Sequence, residues 1–301
     1  MPSAEQIKLL FGEFPIPLGL SAVFFGLAWL AARKSERQFD AETRTGKLDV
    51  WALAVGYAAG HQAIDGLSGL PPKDALDWLP IGAMAIAILT TAAAALRLPK
   101  AVTATVVAAV SVATLAATLD GFQSYRDAYP LNDRLLVLGA ILLAMLAGAI
   151  ALCEFARRLS LADFFLLTGL AGTIATGVLF NGFNTAKIAQ ILGLTLAVGG
   201  AGLFIGLATG IRHVSPAFAA TWLLIWFTLV CNSYYANYEL PPLSGLVLLL
   251  VTPGAIGIGL LCFDCEDRPM QCRAAVYSLT LATALFAFAL STPLGVDEED
   301  E

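Results

Sequence analysis

The chain has 301 residues, of which 58% are hydrophobic and 13% charged, with a mean hydropathy of +0.78 and a formal net charge of −6. Soluble domains carry roughly 25% charged residues, so this composition excludes a soluble protein, and the acidic balance offers no basic surface for nucleic acid. Asp, Glu, Lys and Arg fall between long apolar stretches and not in their interiors.

Ten such stretches follow one another at roughly 16–32, 49–65, 78–96, 101–119, 135–153, 163–181, 187–211, 216–236, 243–263 and 274–292. Each is close to the roughly 17–25 residues that a helix needs to cross a bilayer. The expected fold is all-α: a single transmembrane domain over 1–301, built of short-looped helical hairpins. The lipid bilayer is its first partner. Residues 1–14 lack a basic leader, since Lys8 is outweighed by Glu5 and Glu13, so the first stretch reads as an uncleaved anchor. The longest loop, from Ala31 to Leu48, is a basic, solvated connector holding Arg33, Lys34, Arg37, Arg44 and Lys47.

Alternate loops divide the basic residues twelve against five. Arg97, Lys100, Arg157, Arg158, Arg212, Arg268 and Arg273 join the connector's five, and Lys8, Lys73, Arg126, Arg134 and Lys187 lie opposite. Cytoplasmic loops retain Lys and Arg, so both termini are expected outside, which is consistent with an even number of spans. Short loops without appended domains point to a bacterial inner membrane.

The second, fourth, sixth and eighth stretches end alike, at Asp65-Gly66, Asp120-Gly121, Asn181-Gly182 and Asn232-Ser233. Left-handed caps that close the helices are the main reading, and an internal duplication of hairpins is the other. His61 and Asp65, four residues apart, share a helix face near the outer end. A carboxylate beside a histidine orients the ring and suits proton relays and metal sites. Asp120, Asn181, Asn232 and Tyr235 lie at similar depth. With His61 and Asp65 they outline a polar, aromatic outer vestibule for substrate, unless the tyrosines form only an interfacial belt.

Small residues recur at four-residue spacing as Gly169, Thr173 and Gly177, then as Gly202, Gly206 and Gly210. Such faces let helices approach closely, so the sixth and seventh stretches are expected to pack together. A homo- or hetero-oligomer contact is the alternative use. Hydroxyls such as Thr90, Thr91, Ser111, Thr168, Thr176 and Thr228 are the remaining polarity at depth, bonding to their own helix or to a neighbour.

Pro253 sits inside the ninth stretch, ahead of Gly254, Gly257 and Gly259. A proline there removes a backbone hydrogen bond, and a broken helix exposes carbonyls to a ligand. Pro253 therefore joins the candidate substrate residues. Cys262, Cys265 and Cys272 cluster on the opposite, cytoplasmic side with thiolate-ligand spacing. They are the one metal candidate, and no other cofactor is expected. Reducing conditions there disfavour a structural disulfide.

No carboxylate, Lys or Arg at hydrocarbon depth is available to carry a coupling proton. Two histidines on opposite faces cannot ligate haem in pairs. Zincin, Walker, nucleophile-elbow and channel-filter motifs are missing. The leading expectation is a permease or facilitator for a small neutral or weakly polar solute. A non-catalytic scaffold or assembly subunit is the alternative, and a membrane-embedded transferase using His61, Asp65 and Asp120 comes third.

Overall fold

A computed structural model describes residues 15–35, 41–66, 72, 74–158, 161–183, 185–209, 215–237, 241–262 and 269–291. These residues are all-helical and contain no strand. The long helices are α1 (Pro15–Ser35), α2 (Ala41–Ile64), α3 (Trp78–Ala95), α4 (Lys100–Asp120), α6 (Leu131–Arg158), α7 (Leu161–Gly177), α8 (Ala186–Thr209), α9 (Pro216–Tyr235), α10 (Leu243–Cys262) and α11 (Pro269–Ser291). A 3-10 turn at Ala75–Asp77 precedes α3, and a short α5 (Gln123–Ala128) precedes α6. A π turn, Val178–Gly182, closes α7.

Seven helices among the described residues are long and apolar enough to cross a membrane: α3, α4, α6, α7, α8, α9 and α11. Their outward faces carry large apolar side chains, including Leu136, Leu143, Phe204, Leu207 and Phe286, each at least 64% exposed. Water would penalise such a surface, whereas acyl chains accept it. The chain is a helical membrane protein.

Helix α9 lies at the centre, packed against α2, α3, α4, α6, α8 and α10. Every residue from Thr221 to Tyr235 is buried. Hairpin neighbours α1 with α2, α7 with α8, and α10 with α11 close around it. The start of α9 is fixed by two side chains. The Ser215 hydroxyl accepts from the Phe218 N–H at 3.1 Å, a standard cap that satisfies one free donor, with Pro216 following at the first helical position. Asp49 on α2 accepts from the Ser215 N–H at 2.7 Å and from its hydroxyl at 2.9 Å. Asp49 is 8% exposed, so one carboxylate is more enclosed than a charge-free interior anticipates. It sits level with a helix start, where an anion is favoured.

Pro253 does not break its helix: α10 runs unbroken from Leu243 to Cys262. The missing N–H leaves the carbonyl of Leu249, four residues earlier, without its usual donor. The buried indole N–H of Trp226 on α9 donates to that oxygen at 3.1 Å. The carbonyl expected to meet a ligand is therefore already occupied. Beside it, Trp222, Trp226, Thr168, Pro253 and Thr280 border a void of about 10 Å³, room for about one water.

The sixth and seventh stretches do pack together, as α7 and α8, with Gly202 of the α8 stripe in the contact but a residue outside the stripe on α7. A Cβ on Gly172 would collide with Leu196, and one on Gly202 with the Phe165 ring. A Cβ on Gly169 would meet no neighbouring helix within 4 Å, Gly177 faces Phe288 of α11, and Thr173 is exposed. The contact face on α7 is thus rotated away from that stripe. Gly206 and Gly210 lie outside the residues whose side chains are described.

Most deep hydroxyls bond to their own helix, as Thr90 does to Ile86 O, Ser111 to Val107 O, Thr168 to Phe164 O and Thr176 to Gly172 O. Other bonds join helices instead, among them the Trp51 indole to the Thr91 hydroxyl at 2.9 Å, and Ser21 to Ala52 O at 2.9 Å.

The Trp226 bond gives a double-mutant test. Trp226→Phe strands the Leu249 carbonyl and is expected to cost about 1–3 kcal/mol. In a Pro253→Ala background residue 253 regains its N–H, so the same change is expected to cost clearly less. Equal losses in thermal unfolding of the detergent-solubilised variants would show that the two residues are not coupled.

Candidate functional site

The end of the bundle where α2 finishes gathers most of the expected site residues. Tyr57, His61 and Asp65 stand at four-residue steps on the last turns of α2, hence on one face. The Asp65 N–H still donates to His61 O at 2.9 Å. The helix then stops at Gly66, whose φ of +72° suits a residue without Cβ. Of the four expected end caps, this one is left-handed. Gly121 keeps a helical φ of −67°, and Asn181-Gly182 falls within the π turn. Helix α9 continues past Asn232 and Ser233 to Tyr235.

The returning chain brings a carboxylate that sequence reasoning missed. Asp74 caps the 3-10 turn by accepting from the Leu76 N–H at 3.0 Å. The turn carries Asp77 inward to 2% exposure. Gly121 at the end of α4 secures it from behind, since a Cβ there would lie 2.7 Å from the Ala75 Cβ. One donor atom each of His61, Asp65 and Asp77 comes within 4.8 Å of the others. The clue in the sequence was the placement of Asp77 directly before Trp78, which reads equally well as a solvated helix start.

Lys187, from the first turn of α8, forms an ion pair with one oxygen of Asp65. The ammonium side is half exposed, so the pair contributes at most about 1 kcal/mol. The other Asp65 oxygen is buried with no hydrogen-bond partner among the described residues. Both ring nitrogens of His61, the Tyr57 hydroxyl, the Thr228 hydroxyl and both amide atoms of Asn232 share that condition. His61 and Asn232 are each fully buried. A buried polar group left unmade costs about 1–3 kcal/mol, so this is an unusual concentration of unmet bonding capacity.

Asp120 and Tyr235 belong to a second cluster at the same end. Tyr235 meets Tyr125 and Tyr129 edge to face, and those two rings are tilted against each other, with ring centroids 5.0–6.1 Å apart. The Tyr235 hydroxyl donates to that of Tyr129 at 3.4 Å. Arg134 donates to Tyr129 O at 2.8 Å and to Arg126 O at 2.7 Å, and its third contact is Asp120 at 3.6 Å. Burial pushes the Tyr125 phenol up, while Arg134 pulls it the other way. Tyr125, Tyr234 and Tyr235 are buried, so these rings are packing residues within the bundle and not a lipid-facing belt. Asp120 is 69% exposed and Asn181 is also exposed, so both stand at the rim. Pro253 is at another level, beside Trp226.

At the opposite end, Cys265 and the side chain of Cys262 lie outside the described residues. Cys272 is fully buried and disulfide-bonded. A disulfide sulfur is no thiolate, so a metal held by Cys262, Cys265 and Cys272 would need the reduced chain. Comparisons of the chain with protein-family models, with curated proteins and with solved structures find no match.

The two clusters respond differently to truncation. Tyr235→Ala empties a packed aromatic site and is expected to cost about 3–5 kcal/mol. Asp120→Asn removes an exposed 3.6 Å contact and is expected to change stability by less than about 0.5 kcal/mol. Thermal unfolding in detergent checks both.

Proposed function

We propose that the chain is a permease or facilitator for a small neutral or weakly polar solute, entered at the end of the bundle that carries His61. The observation that supports this is the unmet bonding capacity on two helices packed together, α2 and α9. Tyr57, His61 and Asp65 supply it on one, Thr228 and Asn232 on the other. Polar groups buried at a cost persist when something with complementary donors and acceptors visits them. In this reading His61, Asp65 and Asn232 contact the solute, while Asp120 and Asn181 attract it at the rim. Tyr235 supports the wall, and Pro253 shapes α10 without touching the solute.

The same reading has all ten long helices crossing the membrane, including α1, α2 and α10, with both termini outside a bacterial inner membrane. The asymmetry of Lys and Arg supports that orientation.

The close-packed centre favours a second reading, a scaffold or assembly subunit without a substrate, because the void at Trp226 is too small for a solute. A transferase is not favoured: Asp120 is engaged with Arg134 at the rim, apart from the His61 cluster.

Reconstitution separates the two. Proteoliposomes are expected to take up glycerol, urea or a neutral amino acid at least about tenfold faster than empty vesicles, and Asn232→Leu is expected to abolish the gain by removing polar contacts with the solute. Uptake no faster than in empty vesicles would favour the scaffold. For orientation, an epitope tag after Glu301 is expected to bind antibody on intact spheroplasts. Binding only after permeabilisation would reverse the topology.

A further inference from the structure

We propose that His61, Asp65 and Asp77 form a binding site for a divalent transition-metal cation. The three residues come from two elements, the end of α2 and the turn before α3, and one donor atom of each lies within 4.8 Å of the other two. Metal bonds to His nitrogen and carboxylate oxygen are about 2.0–2.2 Å, which allows ligand atoms up to about 4.4 Å apart. Small side-chain rotations therefore close the shell.

Burial supplies the second argument. His61 is fully buried, and neither ring nitrogen has a hydrogen-bond partner among the described residues. Histidines held by structure alone usually satisfy at least one nitrogen when buried. A cation bound at one nitrogen removes that deficit. The free oxygen of Asp65 points the same way, since it is buried and unbonded while its twin holds Lys187.

Charge supplies the third. Among the described residues, the groups acting electrostatically on His61 are Asp65, Asp77 and Asp74 on the negative side and Lys187 on the positive. That surplus of two negative charges suits a dication. A mixed nitrogen and oxygen donor set favours zinc, cobalt or manganese over the hard all-oxygen ions. Three protein ligands leave at least one position open for water or another ligand.

The proposal does not rest on transport: a chain that moves no solute binds the ion equally well. The full-length protein, in detergent, is stripped with EDTA and its free thiols are alkylated. It is then titrated with Zn2+ by calorimetry and with Co2+ by visible absorption. One Zn2+ per chain is expected, with a Co2+ ligand-field band that Zn2+ displaces. His61→Gln and Asp77→Asn are each expected to weaken binding at least about tenfold, and Asp120→Asn to leave it unchanged.

Because buried-site variants can fail to fold, Lys187→Met provides the counterpart. It removes a half-exposed cation that competes for Asp65, so Zn2+ is expected to bind more tightly. Three results would overturn the proposal. These are no Zn2+ binding by folded protein below about 100 µM, binding unchanged in folded His61→Gln and Asp77→Asn, or equal or weaker binding in Lys187→Met.

Discussion

Hydrocarbon offers backbone groups no water to bond with, so a helix enclosed by other helices must find every partner inside the protein. Helix α9 carries this constraint for the whole bundle. Its first donors are met by Ser215, which is itself held by Asp49 of α2. Along its length it gives as well as receives: Trp226 supplies the proton that Pro253 cannot, and so keeps α10 intact. With its start and one flank fixed in this way, α2, α3, α4, α6, α8 and α10 pack on it as a common axis.

The contrast with the far end of α2 is informative. Where α9 starts, every polar atom just named has a partner. Where α2 finishes, His61, Tyr57, Asn232 and one Asp65 oxygen have none among the described residues. The same chain that matches a proline with a tryptophan leaves several buried groups unmatched within one region. That difference supports the site proposed above, because unmet buried polarity calls for something that the protein binds.

Hydropathy made the helices legible because bilayer thickness imposes a length, and each apolar stretch lies within or nearly within a helix. It did not reveal which helix is central. In a membrane a lipid-facing leucine and a protein-facing leucine have similar surroundings, so α6, whose Leu136 is 73% exposed, and α9, which is almost wholly covered, read alike. Small-residue spacing foretold that α7 meets α8, yet it selected Gly169 where Gly172 makes the contact. On helices this rich in Gly and Ala, several faces are equally narrow. His61 and Asp65 were readable as a pair from their spacing. Asp77 was not, because the turn that folds it inward depends on Gly121, far along the chain. Tyr235 fits an interfacial belt by composition, and only the three-dimensional arrangement shows it facing Tyr125 and Tyr129.

The clasp between Asp49 and Ser215 joins positions 166 residues apart. A ribosome adding roughly 5–20 residues per second needs about 8–33 s to make that interval. During this time α2 has been delivered but its carboxylate has nothing to hold. Until the eighth apolar stretch emerges, α1 to α4 can pack on one another, but α2, α3 and α4 lack the helix they share. Assembly is therefore timed by the late arrival of its own axis, and truncation before residue 215 would yield helices with no centre to gather around.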